Sequence, residues 1–265
     1  MWAWPALPGM LNVMAISSSL TDELVTNWLT GRARIRNHHL TSHGEIHAAL
    51  RPAISDDATE DLWEYVIANT DDHVLNTVAD EIKQHPTRRL IVASDLPAQP
   101  EPAEAAAQRL AEKTGLKAIG VGEKLMVTDM ASHDVEEPVV PDEFIADVRR
   151  QDGWYSLSFI TTDEHPTGPD HTAARGRVGV VGQHAVFDRI WTNPEFRRQG
   201  LGSLVMRYLG SLALEEAVEE GLLIAGTDGQ ALYKHLGWTP LADVVVLAHP
   251  DVSDDHVQTH EHFQV

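Results

Sequence analysis

The chain has 265 residues, a formal net charge of −20 and no cysteine. The lack of cysteine excludes disulfides, a thiolate nucleophile and cysteine-based metal sites, and it fits a reducing cytoplasm. No apolar run reaches the ~18 residues that a membrane span requires, and the acidic balance disfavours a nucleic-acid partner, so we expect a globular cytoplasmic protein that needs no metal.

Composition divides the chain into five segments. Residues 1–19 are apolar, with Trp2 and Trp4, and form an N-terminal extension without the basic start of a signal peptide. Residues 131–142 contain Pro138 and Pro141 and are predicted to be a linker. The linker separates an N-terminal α/β domain (20–130) from a second domain (143–250), and a flexible polar tail (251–265) follows.

In the N-terminal domain, Ser19 to Asp22 have the spacing of a capping box and predict a helix that ends at Gly31. Pro102 and Gly115 bracket a second, strongly predicted helix, because proline favours the first helical residue and glycine the position after the last. The other predicted elements are a strand at 45–50, helices at 57–69 and 74–84, a strand at 89–94, and a hairpin of two short strands at 117–120 and 124–129.

In the second domain, the strand at 185–192 has apolar residues on both sides, with Phe187 and Trp191 on one and Val186 and Ile190 on the other. This pattern indicates a central strand covered on both faces. The other predicted elements are a helix at 143–151, strands at 154–161 and 175–181, a helix at 201–220 that Gly221 ends, a strand at 222–225, a helix at 230–236 and a strand at 243–248. This order predicts an α/β (α+β) fold.

The segment Arg197-Arg198-Gln199-Gly200-Leu201-Gly202 joins the strand at 185–192 to the longest predicted helix. Backbone N–H groups at a helix start have no helical partner, and the helix dipole favours an anion there. Gly200 and Gly202 allow close approach of the backbone, so the N–H groups from Arg198 to Ser203 are predicted to hold a phosphate. Four arginines against two acids between residues 188 and 207 give a local charge of +2 inside a strongly negative chain: Arg189, Arg197, Arg198 and Arg207.

Two segments together resemble the GNAT superfamily of N-acetyltransferases. Residues 197–202 match its Arg/Gln-x-x-Gly-x-Gly/Ala loop, and Leu232-Tyr233-x-x-Leu236-Gly237-Trp238 resembles its second element, with 30 positions between Gly202 and Leu232. The resemblance covers roughly residues 154–248. It implies a mixed, mostly antiparallel sheet flanked by helices, preceded here by a degenerate GNAT-like half without a cofactor loop of its own.

The resemblance implies an acetyl-CoA-dependent N-acetyltransferase whose acceptor is the amine of a small molecule or a peptide. The amine attacks directly in a ternary complex, since no cysteine is present to carry an acyl group. The implied cofactor contacts are the backbone of Ile190, Trp191 and Thr192 to the pantetheine arm, and the loop to the phosphates through Arg197, Arg198, Gln199, Gly200, Leu201, Gly202 and Ser203. The expected assembly is a monomer or a homodimer.

For catalysis, Tyr233 is the predicted general acid, because a phenol near the sulfur can protonate the leaving thiolate. Asp188 is the predicted general base, acting directly or through water, unless it is instead an ion-pair partner of Arg175 or Arg189. Glu164 and His165 are weaker alternatives.

Two departures leave another class of function open. Gly226 and Gly229 stand where the family usually has Asn and Ala, which removes one side-chain contact to the cofactor. These glycines fit a catalytically silent acyl-CoA-binding regulator, while the retained Tyr233 favours an enzyme. A nucleotide-binding module of another fold is the third alternative.

Overall fold

The structure, a computed structural model, describes residues 16–51, 62–69, 71–99, 101–134, 136–162 and 171–253. Five helices form within these residues: α1 Asp22–Arg36, α2 Asp72–Gln84, α3 Ala103–Thr114, α4 Leu201–Leu214 and α5 Thr227–His235. Eleven strands accompany them: β1 His39–His43, β2 Ile46–Leu50, β3 Trp63–Ala68, β4 Arg89–Asp95, β5 Lys117–Asp129, β6 Phe144–Gln151, β7 Trp154–Thr161, β8 Thr172–Val181, β9 His184–Thr192, β10 Glu220–Ala225 and β11 Thr239–Ala248.

All eleven strands form one sheet in the order β1-β2-β3-β4-β11-β5-β10-β9-β8-β7-β6. Each half of the chain contributes an antiparallel run, then a strand–helix–parallel strand unit (β3-α2-β4 and β9-α4-β10), then a helix and a final strand. The final strands are exchanged, since β5 pairs with β10 and β11 pairs with β4. The sheet therefore has the symmetry of a repeated unit, although the sequences of its halves differ.

The two faces of the sheet are covered differently. One face, here the α1 face, packs against α1 through a core that includes Leu24, Trp28, Val186 and Leu222. On the opposite face, α2 and α3 cover the strands of the first half, and α4 and α5 cover those of the second. Among the described residues no helix is long and apolar enough to cross a membrane.

Three predictions for the first half are wrong. Helix α1 passes Gly31 and ends at Arg36, because Gly31 packs against Val186, where a Cβ would lie 2.5 Å from Val186 Cγ2. Residues 63–68 form strand β3, not a helix, since the sheet buries this short apolar run. Residues 117–129 are one strand, and Gly122, with φ of 78°, accompanies bulges in its pairing with β11 rather than a hairpin turn.

Two predictions for the second half are also wrong. Residues 144–151 form the edge strand β6, because β7 offers a full antiparallel ladder to them. Helix α4 ends at Leu214, six residues before the predicted end, and Gly221 lies inside β10. The predicted strands at 154–161, 175–181, 185–192, 222–225 and 243–248 all form, and a turn in which Gly182 has a φ of 56° joins β8 to β9.

Candidate functional site

Strands β9 and β10 diverge, and this opening is the first feature of the site. Their parallel ladder has only three pairs, from His184–Glu220 to Val186–Leu222. Strand β9 then continues to Thr192 without a ladder partner on that side among the described residues. The gap leaves the β9 backbone from residue 187 onward available to an extended ligand.

A β-bulge lies inside this unpaired stretch. Two β9 residues, Arg189 and Ile190, oppose the single residue Gly176 of β8, and Arg189 has a φ of 56°. The extra residue shifts the alternation of side chains, so Ile190 packs in the α4 core beside Phe187, while Trp191 lies beside Arg175. The predicted pairing of Phe187 with Trp191 on one face is therefore wrong.

The loop predicted to hold a phosphate lies at the N-terminus of α4. Gly200 precedes the helix with φ of 84°, and Arg198 is also left-handed, with φ of 66°. Within the described part of the chain, the backbone N–H groups from Arg198 to Ser203 donate no hydrogen bond, whereas that of Leu204 bonds to the Gly200 carbonyl. Six consecutive free donors at a helix N-terminus make a cradle suited to an anion.

Contacts around the loop bring its predicted partners together. A Cβ on Gly202 would lie 3.2 Å from Leu232 Cδ2 and 3.7 Å from Thr192 Oγ1. The start of α4 therefore touches both the end of β9 and the α5 residue next to Tyr233. Arg197 Nε donates to the Thr192 carbonyl at 3.3 Å, which fastens the loop to β9. Gln199 turns back to the Glu195 carbonyl at 3.4 Å.

The charge around this cradle is smaller than the sequence predicted. Arg207 pairs with Asp134 of the linker at 3.0 Å. Arg189 lines a cavity with Arg175 and Arg177, whose strand positions face the α1 side of the sheet. Arg197 and Arg198 are thus the two arginines that remain at the loop, and the predicted cluster of four is wrong.

Tyr233 lies in the core between the sheet and α4. It is 7% exposed, its ring centroid is 6.2 Å from that of Trp238, and its hydroxyl has no hydrogen-bond partner within the described residues. Burial, and then the negative charge of Asp188, raise the pKa of Tyr233 well above its usual 10, so it stays a neutral proton donor. Gly229 leaves room for the ring, because a Cβ there would lie 3.0 Å from Tyr233 Cε2.

Asp188 is locked in an ion pair. Arg36 of α1 donates from Nε and Nη2 to its two carboxylate oxygens at 2.5 and 2.8 Å. Burial alone would raise the pKa of Asp188, but the charge and hydrogen bonds of Arg36, with Arg32 and Arg189 beyond, outweigh it and hold the pKa at about 2. Such a carboxylate is a poor proton acceptor, which argues against a general-base role. The ion-pair alternative is correct, with a partner from the other half of the chain.

Glu123 of β5 is a candidate site residue that no sequence motif indicated. Its neighbour Lys124 forms the last pair with β10, at Ala225, so Glu123 lies just past the end of that strand. Burial raises the pKa of Glu123, and the charges of Arg32 and Arg36 only partly oppose this. The predicted alternatives Glu164 and His165 lie outside the described residues. Among the residues described, no group of three or more His, Asp or Glu side chains could hold a metal.

The equivalent position in the first half is closed. The parallel ladder of β3 and β4 runs without divergence from Glu64–Arg89 to Ala68–Ala93. The N-terminus of α2 is capped by Asp71, whose carboxylate accepts from the N–H groups of His73 and Val74. The site that would hold a phosphate there is therefore filled by a carboxylate of the chain itself.

Comparisons with known proteins agree with the fold. Residues 159–240 match the model of a family described as an acetyltransferase (GNAT) domain. A GCN5-related N-acetyltransferase from Kribbella flavida has a similar structure, with 17% identity and a TM-score of 0.58, covering 89% of this chain and 98% of its own. A GNAT-family protein from Novosphingobium aromaticivorans, 14% identical, has a TM-score of 0.51 over 86% of this chain and 97% of its own.

A functionally unknown protein from Staphylococcus epidermidis is 13% identical, with a TM-score of 0.52 over 82% of this chain and 96% of its own. No curated protein matches the sequence. At these identities the solved structures show a shared fold, and it extends through both halves of the chain. The predicted fold class is therefore confirmed.

Proposed function

We propose that the chain, whose residues 159–240 match a GNAT acetyltransferase domain, transfers an acetyl group from acetyl-CoA to an amine. The single observation that carries the proposal is the row of six unpaired N–H groups at the start of α4. These N–H groups lie at the end of β9, beyond the point where β9 separates from β10. A site suited to a phosphate and a site suited to an extended chain are therefore adjacent. Coenzyme A has both chemistries, a pyrophosphate and a linear pantetheine arm.

Two segments of the chain bind different parts of acetyl-CoA. The backbone N–H groups from Arg198 to Ser203 hold the pyrophosphate, with Arg197 and Arg198 adding positive charge. The backbone of Ile190, Trp191 and Thr192, on the side of β9 that β10 no longer pairs with, bonds the pantetheine arm, as a further strand would. Bound in this way, acetyl-CoA supplies a thioester to the gap between β9 and β10.

Tyr233 then acts as general acid. The amine nitrogen bonds to the acyl carbon, the carbon–sulfur bond breaks, and the thiolate takes the proton from the Tyr233 hydroxyl. The raised pKa of Tyr233 keeps that proton in place until the sulfur becomes basic. Direct attack fits a chain with no cysteine.

We assign proton removal from the incoming ammonium to Glu123 rather than Asp188. Its carboxylate lies at the β10 end of the opening and its pKa is raised, which makes it a better proton acceptor than Asp188. Asp188 is a positioning residue that ties β9 to α1 through Arg36.

The second candidate, a silent acyl-CoA-binding regulator, is favoured by that same ion pair, because it neutralises the carboxylate nearest the bulge. Helix α5 also begins at Gly226 without a side-chain cap. Both candidates share the cofactor site, and they differ only in turnover.

Two measurements test the proposal. Calorimetric titration with acetyl-CoA should show binding that Arg197→Glu with Arg198→Glu weakens in a salt-dependent way; no binding at millimolar acetyl-CoA would remove both candidates. Thiol release against a panel of amines then separates the enzyme from the regulator. The chain has no thiol of its own, so the assay has no protein background.

A further inference from the structure

A cavity of about 270 Å³ opens on the α1 face of the second half of the sheet. Four arginines and one acid line it: Arg149, Arg175, Arg177, Arg189 and Asp147. These lining side chains alone give a net charge of +3 in a chain whose overall charge is −20. Arg149 is paired with Asp147 at 2.9 Å, and the remaining arginines repel one another where water is partly excluded, so the cavity favours a bound anion.

Two of the arginines are held in place by contacts that do not neutralise them. Arg175 stacks on the Trp191 ring and Arg177 on the Trp154 ring, with guanidinium carbons 5.0 and 5.1 Å from the ring centroids. Arg177 also donates to the Ile35 carbonyl at the end of α1, at 2.9 Å. Aromatic faces and carbonyls orient a guanidinium and leave its charge in place.

Arg189 reaches this cavity because of the bulge. Its left-handed backbone, with φ of 56°, is unusual for a side chain other than glycine. Burial first, and then the charge of Arg36, which the opposite charge of Asp188 only partly offsets, lower the pKa of Arg189 to about 10. A strained residue that places a charge among like charges is typical of a functional position.

The cavity is separate from the cofactor cradle. Tyr155, Leu157 and Phe159 of β7 point into the core under α4, so Ser156 and Ser158, which line the cavity, face the other way. The cavity and the α4 cradle are therefore on opposite faces of the sheet. Arg189 lies in the part of β9 beyond its ladder with β10, so the cavity borders the proposed acyl-transfer gap from the side opposite the cofactor.

We propose that this cavity, the arginine pocket, binds the acidic group of the acceptor, and that the acceptor is a small amine bearing a carboxylate or a phosphate. This assignment rests on the proposed transferase function. Guanidinium groups bind both oxyanions in bidentate fashion, and the two serine hydroxyls add further hydrogen bonds. The volume corresponds to about nine waters at ~30 Å³ each, which suits a small metabolite better than a folded protein.

The first experiment measures binding without turnover. Melting temperature is recorded with inorganic phosphate and with 4-aminobutyrate for the unaltered chain, for Arg175→Gln with Arg189→Gln, and for Arg197→Gln with Arg198→Gln. We expect 4-aminobutyrate to stabilise the unaltered chain and the loop variant but not the pocket variant, whereas phosphate, which also fits the α4 cradle, should lose only part of its stabilisation in the pocket variant. Arg109→Gln, an exposed arginine of α3 paired with Glu101, is the matched control. Stabilisation by 4-aminobutyrate that survives unchanged in the pocket variant would overturn the assignment.

The second experiment uses matched amines, 4-aminobutyrate against butylamine and phosphoethanolamine against ethanolamine. We expect at least one acidic amine to have a kcat/KM about 10-fold or more above its neutral partner, since a charge-assisted hydrogen bond is lost with the neutral one. The preference should vanish in the pocket variant, while KM for acetyl-CoA stays unchanged. Equal kcat/KM for both members of each pair would contradict the proposal.

The two arms separate failure of the pocket from failure of the transferase. Anion stabilisation with no acetyl-CoA binding would contradict the proposed function, and the acceptor assignment would fall with it while the anion site remained. Acetyl-CoA turnover without any acidic preference would contradict the pocket assignment alone. Arg189→Lys, which keeps the charge, should retain part of the acidic preference if the pocket variant proves poorly folded.

Discussion

Arg36 and Asp188 are 152 residues apart in the sequence and form a bidentate ion pair, with Nε–Oδ2 and Nη2–Oδ1 distances of 2.5 and 2.8 Å. Arg36 is the last residue of α1, and Asp188 precedes the bulge in β9. The pair fixes the helix of the first half to the strand that would carry the cofactor. Through this contact the first half helps to shape the site, although Asp71 caps the equivalent helix N-terminus, that of α2, within the first half.

Replacing Asp188 with Asn should destabilise the fold. Arg36 would remain buried without its counter-charge, and breaking a buried ion pair from one side costs about 3–5 kcal/mol. The folded pKa of Asp188, about 2, is below its ordinary 3.8, so the stabilisation is present above roughly pH 4 and is lost as pH falls towards 2. Urea unfolding of both proteins from pH 7 to pH 2 should show a gap that narrows below pH 4. A constant gap would refute this assignment.

The elements with strong local signals could be predicted from the sequence. Pro102 and Gly115 bracket α3, and the glycine loop with the Leu-Tyr segment indicated the GNAT family that residues 159–240 match. What failed depends on distant contacts. The identity of residues 144–151 as a strand depends on β7, and the continuation of α1 past Gly31 depends on Val186.

The charges at the site also depend on residues that are far apart in the sequence. Arg32 and Arg36 are four positions apart on the buried side of α1, and that spacing was the available clue to a partner elsewhere. The bulge at Arg189 reverses the alternation of side chains, so strand periodicity assigned Ile190 and Trp191 to the wrong faces. The net charge of the chain gave no sign of the arginine pocket, since the chain as a whole is strongly acidic.

Replacing two helical glycines with alanine should have opposite effects on stability, because Gly31 of α1 packs closely on the sheet and Gly210 of α4 has free space beside it. Gly31→Ala should destabilise the protein by about 1–3 kcal/mol, because its Cβ would lie within 2.5 Å of the buried Val186 side chain. Gly210→Ala, inside α4, should stabilise it by about 0.5–1 kcal/mol, because the added Cβ would meet no other side chain within 4 Å. Thermal unfolding compares the two, and equal effects would mean that α1 does not pack as described.

Tyr233→Phe should lower kcat by about 100-fold or more, the usual range for loss of a general acid, while acetyl-CoA affinity stays within a factor of two or so. Tyr208→Phe is the matched control, since that ring lies in the same core and its hydroxyl bonds Glu137 at 3.0 Å. It should cost about 1 kcal/mol of stability and leave turnover intact. Unchanged turnover in Tyr233→Phe would remove Tyr233 from the mechanism.

Glu123→Gln should slow transfer and change its pH dependence. A base with a raised pKa is lost as pH falls through that pKa, so kcat of the unaltered enzyme should decline on the acid side. The variant should have a lower kcat that no longer follows this decline. Glu112→Gln, on α3, serves as the charge-matched control. If the variant still shows the decline of kcat at low pH, that ionisation belongs to another group.

The central claim is that acetyl-CoA occupies the cradle of free N–H groups at the start of α4. Amide hydrogen exchange with and without acetyl-CoA measures this directly. We expect marked slowing of exchange from Arg198 to Ser203, together with slowing in β9 residues 190–192, which have no ladder partner on the β10 side. Unchanged exchange at these amides under saturating acetyl-CoA would contradict it.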